Sequence, residues 1–94
     1  MAGTFSMTVD ASGAAESYTV QTICRRITAY EEIQAGTSDY KVYVPPTSST
    51  PVTKPAGSKF THERRDGEGY FLPGMTPFAL ALVTGSATFN FEEE

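Results

Sequence analysis

The chain has no tryptophan, one cysteine and one histidine among its 94 residues. A lone cysteine, Cys24, excludes an internal disulfide framework and any cysteine-cluster metal site; it is read as a small core residue. A lone histidine excludes a multi-histidine metal centre. His62 sits in His62-Glu63-Arg64, at the mouth of a charged turn, and is read as a surface residue. The carboxylates supply no calcium loop, because no Asp-x-Asp-x-Asp run exists and Glu31-Glu32 and Glu92-Glu93-Glu94 are adjacent side chains that point apart.

Catalytic patterns are equally scarce. Gly-x-Ser-x-Gly does not occur, and no serine or cysteine motif flanks His62. Gly67-Glu68-Gly69 is a turn, not a phosphate loop, which needs a following helix. Nothing in the spacing of Asp39, Asp66 and Glu68 marks an acid pair for glycoside hydrolysis. The expectation is a protein that is not an enzyme and takes no cofactor and no metal.

Long apolar runs are missing as well. None approaches the roughly 20 residues of a membrane span, and Met1-Ala2-Gly3-Thr4-Phe5 lacks the basic start and apolar stretch of a signal peptide. The formal charge of −4 leaves no basic face for general nucleic-acid binding. A chain made in the cytoplasm, with neither membrane nor nucleic acid as partner, is expected.

What is present is a β pattern. Six Phe and five Tyr favour packed sheets over disorder. The apolar period is closer to two than to 3.6 in nearly every segment. Phe5, Met7 and Val9 share one face of a strand that ends at Asp10-Ala11-Ser12-Gly13. Tyr18 to Tyr30 is extended, anchored by Val20, Ile23, Ile27 and Ala29 and interrupted by Arg25-Arg26. Glu31 to Gly36 suits one helical turn closed by glycine. Asp39 to Val44 is a strand stopped by Pro45-Pro46, which cannot donate to a ladder. Residues 47–55 form an exposed Pro/Thr/Ser loop, either mobile or an arm toward a neighbouring subunit.

Gly57 to His62 starts another strand, and the Asp66-Gly67 pair signals a hairpin. Tyr70-Phe71-Leu72 is a short strand closed by Pro73-Gly74 as a type II turn. Phe78 to Val83 reads as a strand buried on both faces. With Thr84-Gly85-Ser86 it turns back into Ala87 to Phe91, the clearest hairpin in the chain. Residues 92–94 read as a solvated acidic tail. The prediction is one all-β domain over residues 1–94, a small antiparallel β-sandwich or jelly-roll-like barrel of about six to eight short strands. A domain this short buries only roughly 60–65% of its unfolded surface, so it gains from partners.

Two basic dipeptides, Arg25-Arg26 and Arg64-Arg65, hold four of the seven basic residues. They serve either to pair the chain's own acids or as interface anchors, since guanidinium suits bidentate carboxylate contacts. The Phe5-Met7 strand is a second candidate interface, able to add to a neighbouring sheet edge. Pro45 and Pro46 are a third.

The order Ile23-Cys24-Arg25-Arg26-Ile27-Thr28-Ala29-Tyr30-Glu31-Glu32, Asp39-Tyr40-Lys41-Val42, a Pro-Pro loop, Pro55-Ala56-Gly57, Phe71-Leu72-Pro73-Gly74 and Gly85-Ser86-Ala87-Thr88-Phe89 with an acidic end resembles small virion proteins of tailed bacteriophages. Several of those are capsid decoration or cement proteins. The resemblance implies a homo-oligomer, dimer or trimer, bound to the major capsid protein on the virion's capsid surface after synthesis in the host bacterial cytoplasm. A different class remains open: a carbohydrate- or receptor-binding β module of a phage tail or head fibre, with Tyr18, Tyr30, Tyr40, Tyr43 and Tyr70 as stacking surfaces.

Overall fold

A computed structural model describes residues 3–94; Met1 and Ala2, part of the start read against a signal peptide, lie outside the described residues. Eight strands succeed one another in chain order: β1 (Gly3–Asp10), β2 (Glu16–Ser17), β3 (Arg26–Glu31), β4 (Tyr40–Tyr43), β5 (Val52–Lys54), β6 (Phe60–Glu63), β7 (Ala79–Leu82) and β8 (Ser86–Glu93). Among the described residues there is no helix. The strands form two four-stranded sheets, ordered β1-β8-β3-β6 and β2-β7-β4-β5, and every pairing is antiparallel.

The pairings β1–β8, β2–β7, β3–β6 and β4–β5 run like one long hairpin whose tip is the β4–β5 connection. Folded over on itself, this ribbon is joined side to side by β8–β3 and β7–β4. That is a jelly roll, an eight-stranded sandwich with Greek-key connections.

Period-two alternation turns one face of each strand inward. Val9, Ile27, Ala29, Phe89 and Phe91 from the first sheet meet Tyr40, Val42, Leu80 and Leu82 from the second, joined in the core by Tyr18, Val20 and Phe78 from the connecting segments. The aromatic rings lock the layers: Tyr18 stacks on Phe91 at 4.2 Å between centroids, and Tyr40 meets Phe89 edge-on at 5.1 Å. Such pairs add about 0.5–1.5 kcal/mol beyond their area burial.

Several local expectations are corrected. Thr84-Gly85-Ser86 is not a hairpin turn. It carries the chain from β7 in one sheet to β8 in the other, held by Val83 N–H on the Asp39 carbonyl and Ala11 N–H on the Gly85 carbonyl, at 2.9 and 3.0 Å. The Asp66-Gly67 turn closes locally, Glu68 N–H to the Arg65 carbonyl at 3.0 Å, but makes no hairpin either: β6 pairs with β3. Tyr70-Phe71-Leu72 contributes one bridge, Phe71 to Cys24, rather than a strand. Glu31 belongs to β3, and the chain leaves it through a tight turn, Gly36 N–H to the Ile33 carbonyl at 2.9 Å, not a helical one. The 47–55 segment is largely exposed, yet residues 52–54 form edge strand β5.

The acidic end is the largest correction. Residues 92 and 93 complete β8, and Glu93 is fully buried. The inward stripe of Ala87, Phe89 and Phe91 simply takes one more step of two. Glu31 does the same on β3 after Ile27 and Ala29, and is also buried. Because β3 and β8 run antiparallel, the two glutamates close opposite ends of the core. Glu31 accepts Thr37 N–H at 2.8 Å and the Thr37 hydroxyl at 2.6 Å.

Candidate interaction surface

The two arginine dipeptides converge. β3 pairs with β6 so that Arg26 faces Glu63, and the ladder runs one step on, Arg64 N–H donating to the Arg25 carbonyl at 2.8 Å. The last residue anchors the same corner. Arg25 and Arg26 N–H both donate to the Glu94 carbonyl at 2.8 and 3.1 Å, and Glu94 N–H returns to the Arg26 carbonyl at 2.8 Å. Four guanidinium groups and the carboxylates of Glu63, Asp66 and Glu94 thus line one open groove of about 680 Å³.

Three of the arginines are held differently. Arg26 makes an ion pair with Glu94 at 2.8 Å, and Arg25 reaches Asp66 at 3.4 Å, both exposed; such pairs contribute about 0–1 kcal/mol. Arg64 lies over the Phe71 ring, 4.9 Å from its centroid, with its Nε buried and without a hydrogen-bond partner among the described residues. Pairing with the chain's own acids therefore occupies Arg25 and Arg26.

Beside the groove lies an outward patch that sequence reasoning missed. Cys24 and Phe71 exchange N–H···O bonds at 3.2 and 2.7 Å, and both side chains point into the core. Antiparallel geometry then sets Ile23 opposite Leu72 and Arg25 opposite Tyr70 on the outer face. Arg25 does lie over the Tyr70 ring, at 5.6 Å. Ile23, Tyr70 and Leu72 are 56%, 54% and 52% exposed, so Ile23 is not the core anchor expected of it. The signal was available: in a Tyr-Phe-Leu strand with Phe71 inward, its two neighbours must face out.

The other expected residues lie apart from this corner. Phe5 and Met7 are half-buried on β1 and line an open groove of about 520 Å³ with Tyr18, Thr19 and Gln21. Pro45 and Pro46 leave β4 of the other sheet in a turn closed by Ser48 N–H on the Pro45 carbonyl at 2.9 Å. The tyrosines are scattered. Tyr18 and Tyr40 are in the core, Tyr30 and Tyr43 stand on the outer faces of opposite sheets, and Tyr70 is at the bridge. A smaller groove of about 430 Å³ contains Tyr30, Gln34 and Lys59, but the Lys59 ammonium covers the Tyr30 ring at 5.0 Å.

His62 is half-buried, not a surface residue. Its ring packs 5.5 Å from Phe71 and 5.8 Å from Phe78, and burial, with Arg64 nearby, pushes its pKa below the ordinary value. Among the described residues no three His, Cys, Asp or Glu side chains gather as a metal site.

Comparison of the chain with protein-family models, curated proteins and solved structures found no match. The functional reading therefore rests on this surface alone. Within it Tyr70, with Arg25 over its ring, pairs two residue types that are enriched at protein–protein binding hot spots.

Proposed function

We propose that this chain is a structural binding module, a capsid decoration or cement protein that docks on the outer surface of a phage head and ties neighbouring coat subunits together. The observation that carries this reading is the outward patch of Ile23, Tyr70 and Leu72 beside the four-arginine groove. A solvated apolar cluster of this kind supports reading this face as an interaction site, and the guanidinium groups beside it suit a coat surface bearing carboxylates. The jelly roll supplies a rigid platform, and fold alone carries no function.

A cement protein acts by mass action: it binds the assembled lattice and not free subunits, so it raises the stability of the shell. The test is to mix the purified protein with undecorated shells, measure cosedimentation and the shell's melting temperature, and repeat with Tyr70→Ala/Leu72→Ser. The reading expects bound protein, a raised melting temperature, and loss of both in the variant. Absence of cosedimentation by the native chain, or binding untouched in the variant, overturns it.

A further inference from the structure

Among the described residues four strands form the edges of the two sheets: β1 and β6 in one, β2 and β5 in the other. Natural edges are kept from pairing with other chains by shortness, proline, charge or bulges. Three of these edges are so protected. β2 is two residues long; β5 is three, set between Pro51 and Pro55 and ending in Lys54; β6 is four, ends in Glu63 and runs into Arg64-Arg65.

β1 has none of these devices. It is eight residues long, and its register with β8 is unbroken from Gly3–Glu93 to Asp10–Ser86, so it contains no bulge. It has no proline or lysine, and no charge before Asp10. Along its outer side alternate backbone N–H and C=O groups have no ladder partner among the described residues. Phe5 and Met7 are half-buried and line an open groove along this strand with Ser17, Tyr18, Thr19 and Gln21.

We infer that β1 pairs antiparallel with β1 of a second copy of this chain, joining two four-stranded sheets into one of eight strands. The strand is its own complement. The chain carries a net charge of −4, but the segment from Gly3 to Val9 is neutral, so it can face itself without like-charge repulsion.

The register is set by the pleat. Opposed residues share a face, so odd-numbered inward residues must face odd-numbered ones. Centring the twofold axis on Ser6 pairs the whole neutral segment and leaves Asp10 outside. Phe5 then faces the partner's Met7, a sulfur–aromatic contact, and Thr4 faces the partner's Thr8. The isologous pairing closes at two copies, as twofold symmetry requires.

Sedimentation equilibrium of the full chain tests this, with two variants at the axis. The native protein is expected at twice its 10.1 kDa mass. Ser6→Lys puts two ammonium groups face to face on the exposed side of β1 and is expected to weaken the dimer about tenfold or more. Ser6→Cys is expected to cross-link to itself on oxidation, since opposed strand residues lie within disulfide reach, while Cys24 stays buried. A native chain that stays monomeric at high concentration overturns the inference, as does a dimer that survives Ser6→Lys with no Ser6→Cys cross-link. Protection of β1 amides only on shells would assign the edge to a coat segment instead. The mass in free solution is independent of shell binding, so this inference and the cement reading fail separately.

Discussion

Tyr18 donates its phenolic proton to Glu93, 75 residues further along the chain. The same carboxylate accepts Gln21 N–H at 2.9 Å, and Thr22 N–H and the Thr22 hydroxyl, both at 2.7 Å. Among the described residues no cation takes part. Burial by itself pushes the Glu93 pKa upward, but the Tyr18 hydroxyl and the Gln21 and Thr22 donors outweigh it and hold the carboxyl below its ordinary value. The Tyr18 hydroxyl is driven the other way, by burial first and by Glu93 second. The β2–β3 loop is thereby fastened to the end of β8.

Replacing Glu93 by Gln puts an amide where four donors converge, and one face of that amide is itself a donor. The expected cost is about 2–4 kcal/mol at neutral pH, read by urea denaturation. The native protein carries this stabilisation in full above the ordinary carboxylate value of 4.5, and loses it as pH falls through the lower folded value. The Glu93→Gln difference should therefore shrink in acid.

His62 gives a second acid leg at higher pH. Its folded pKa is depressed, so the unfolded chain takes up the proton more readily. Stability is complete above the ordinary value of 6.5 and declines as pH drops toward the folded value. A His62→Phe variant is expected to lose that decline. NMR titration of the imidazole, giving a midpoint below 6.5, checks the cause directly.

Gly36 and Gly67 provide a matched pair. Both have positive φ, +81° and +89°, but a Cβ on Gly36 would run into the backbone of Ala56 and Gly57, the Ala56 carbonyl carbon at 2.7 Å, while one on Gly67 meets open space. Gly67→Ala should cost about 1 kcal/mol of conformational strain alone. Gly36→Ala should cost about 3 kcal/mol or more, because two backbones must separate. Thermal melts of the two variants decide it.

Cys24 is a built-in probe of opening. Burial first, and the Glu93 carboxylate second, raise its thiol pKa, and its side chain is enclosed at the Phe71 bridge. A thiol reagent is expected to leave the folded protein unmodified and to react freely in urea. Prompt modification under native conditions would show that the bridge opens by itself.

Strand existence was legible wherever alternation was clean, as in Phe5-Met7-Val9, in Tyr40-Val42 and in Phe89-Phe91. Partnership was not. Thr84-Gly85-Ser86 shows where the chain reverses, but whether the next strand stays in the same sheet depends on pairings with β1 and β3, far away in sequence. Glu92-Glu93-Glu94 set composition against period, and the period won because the Tyr18, Gln21 and Thr22 donors were waiting inside. The arginine pairs were legible as pairs. Their convergence depends on the β3–β6 ladder, and the patch beside them on the Cys24–Phe71 bridge, neither of which is a local signal.

The wound-up hairpin has a consequence for how fast this protein reaches its native state. Among the described strands only β4 and β5 are both consecutive in sequence and partners in a sheet. Every other pairing spans a longer stretch of chain, up to the contact of Gly3 with Glu93. Such high contact order places the domain among slow folders, on the order of milliseconds to seconds. The β4–β5 tip closes the shortest loop of the sandwich and the β1–β8 seam the longest. β1, the first of the described strands, has no partner until β8 exists, and during that wait its unpaired backbone is open to aggregation.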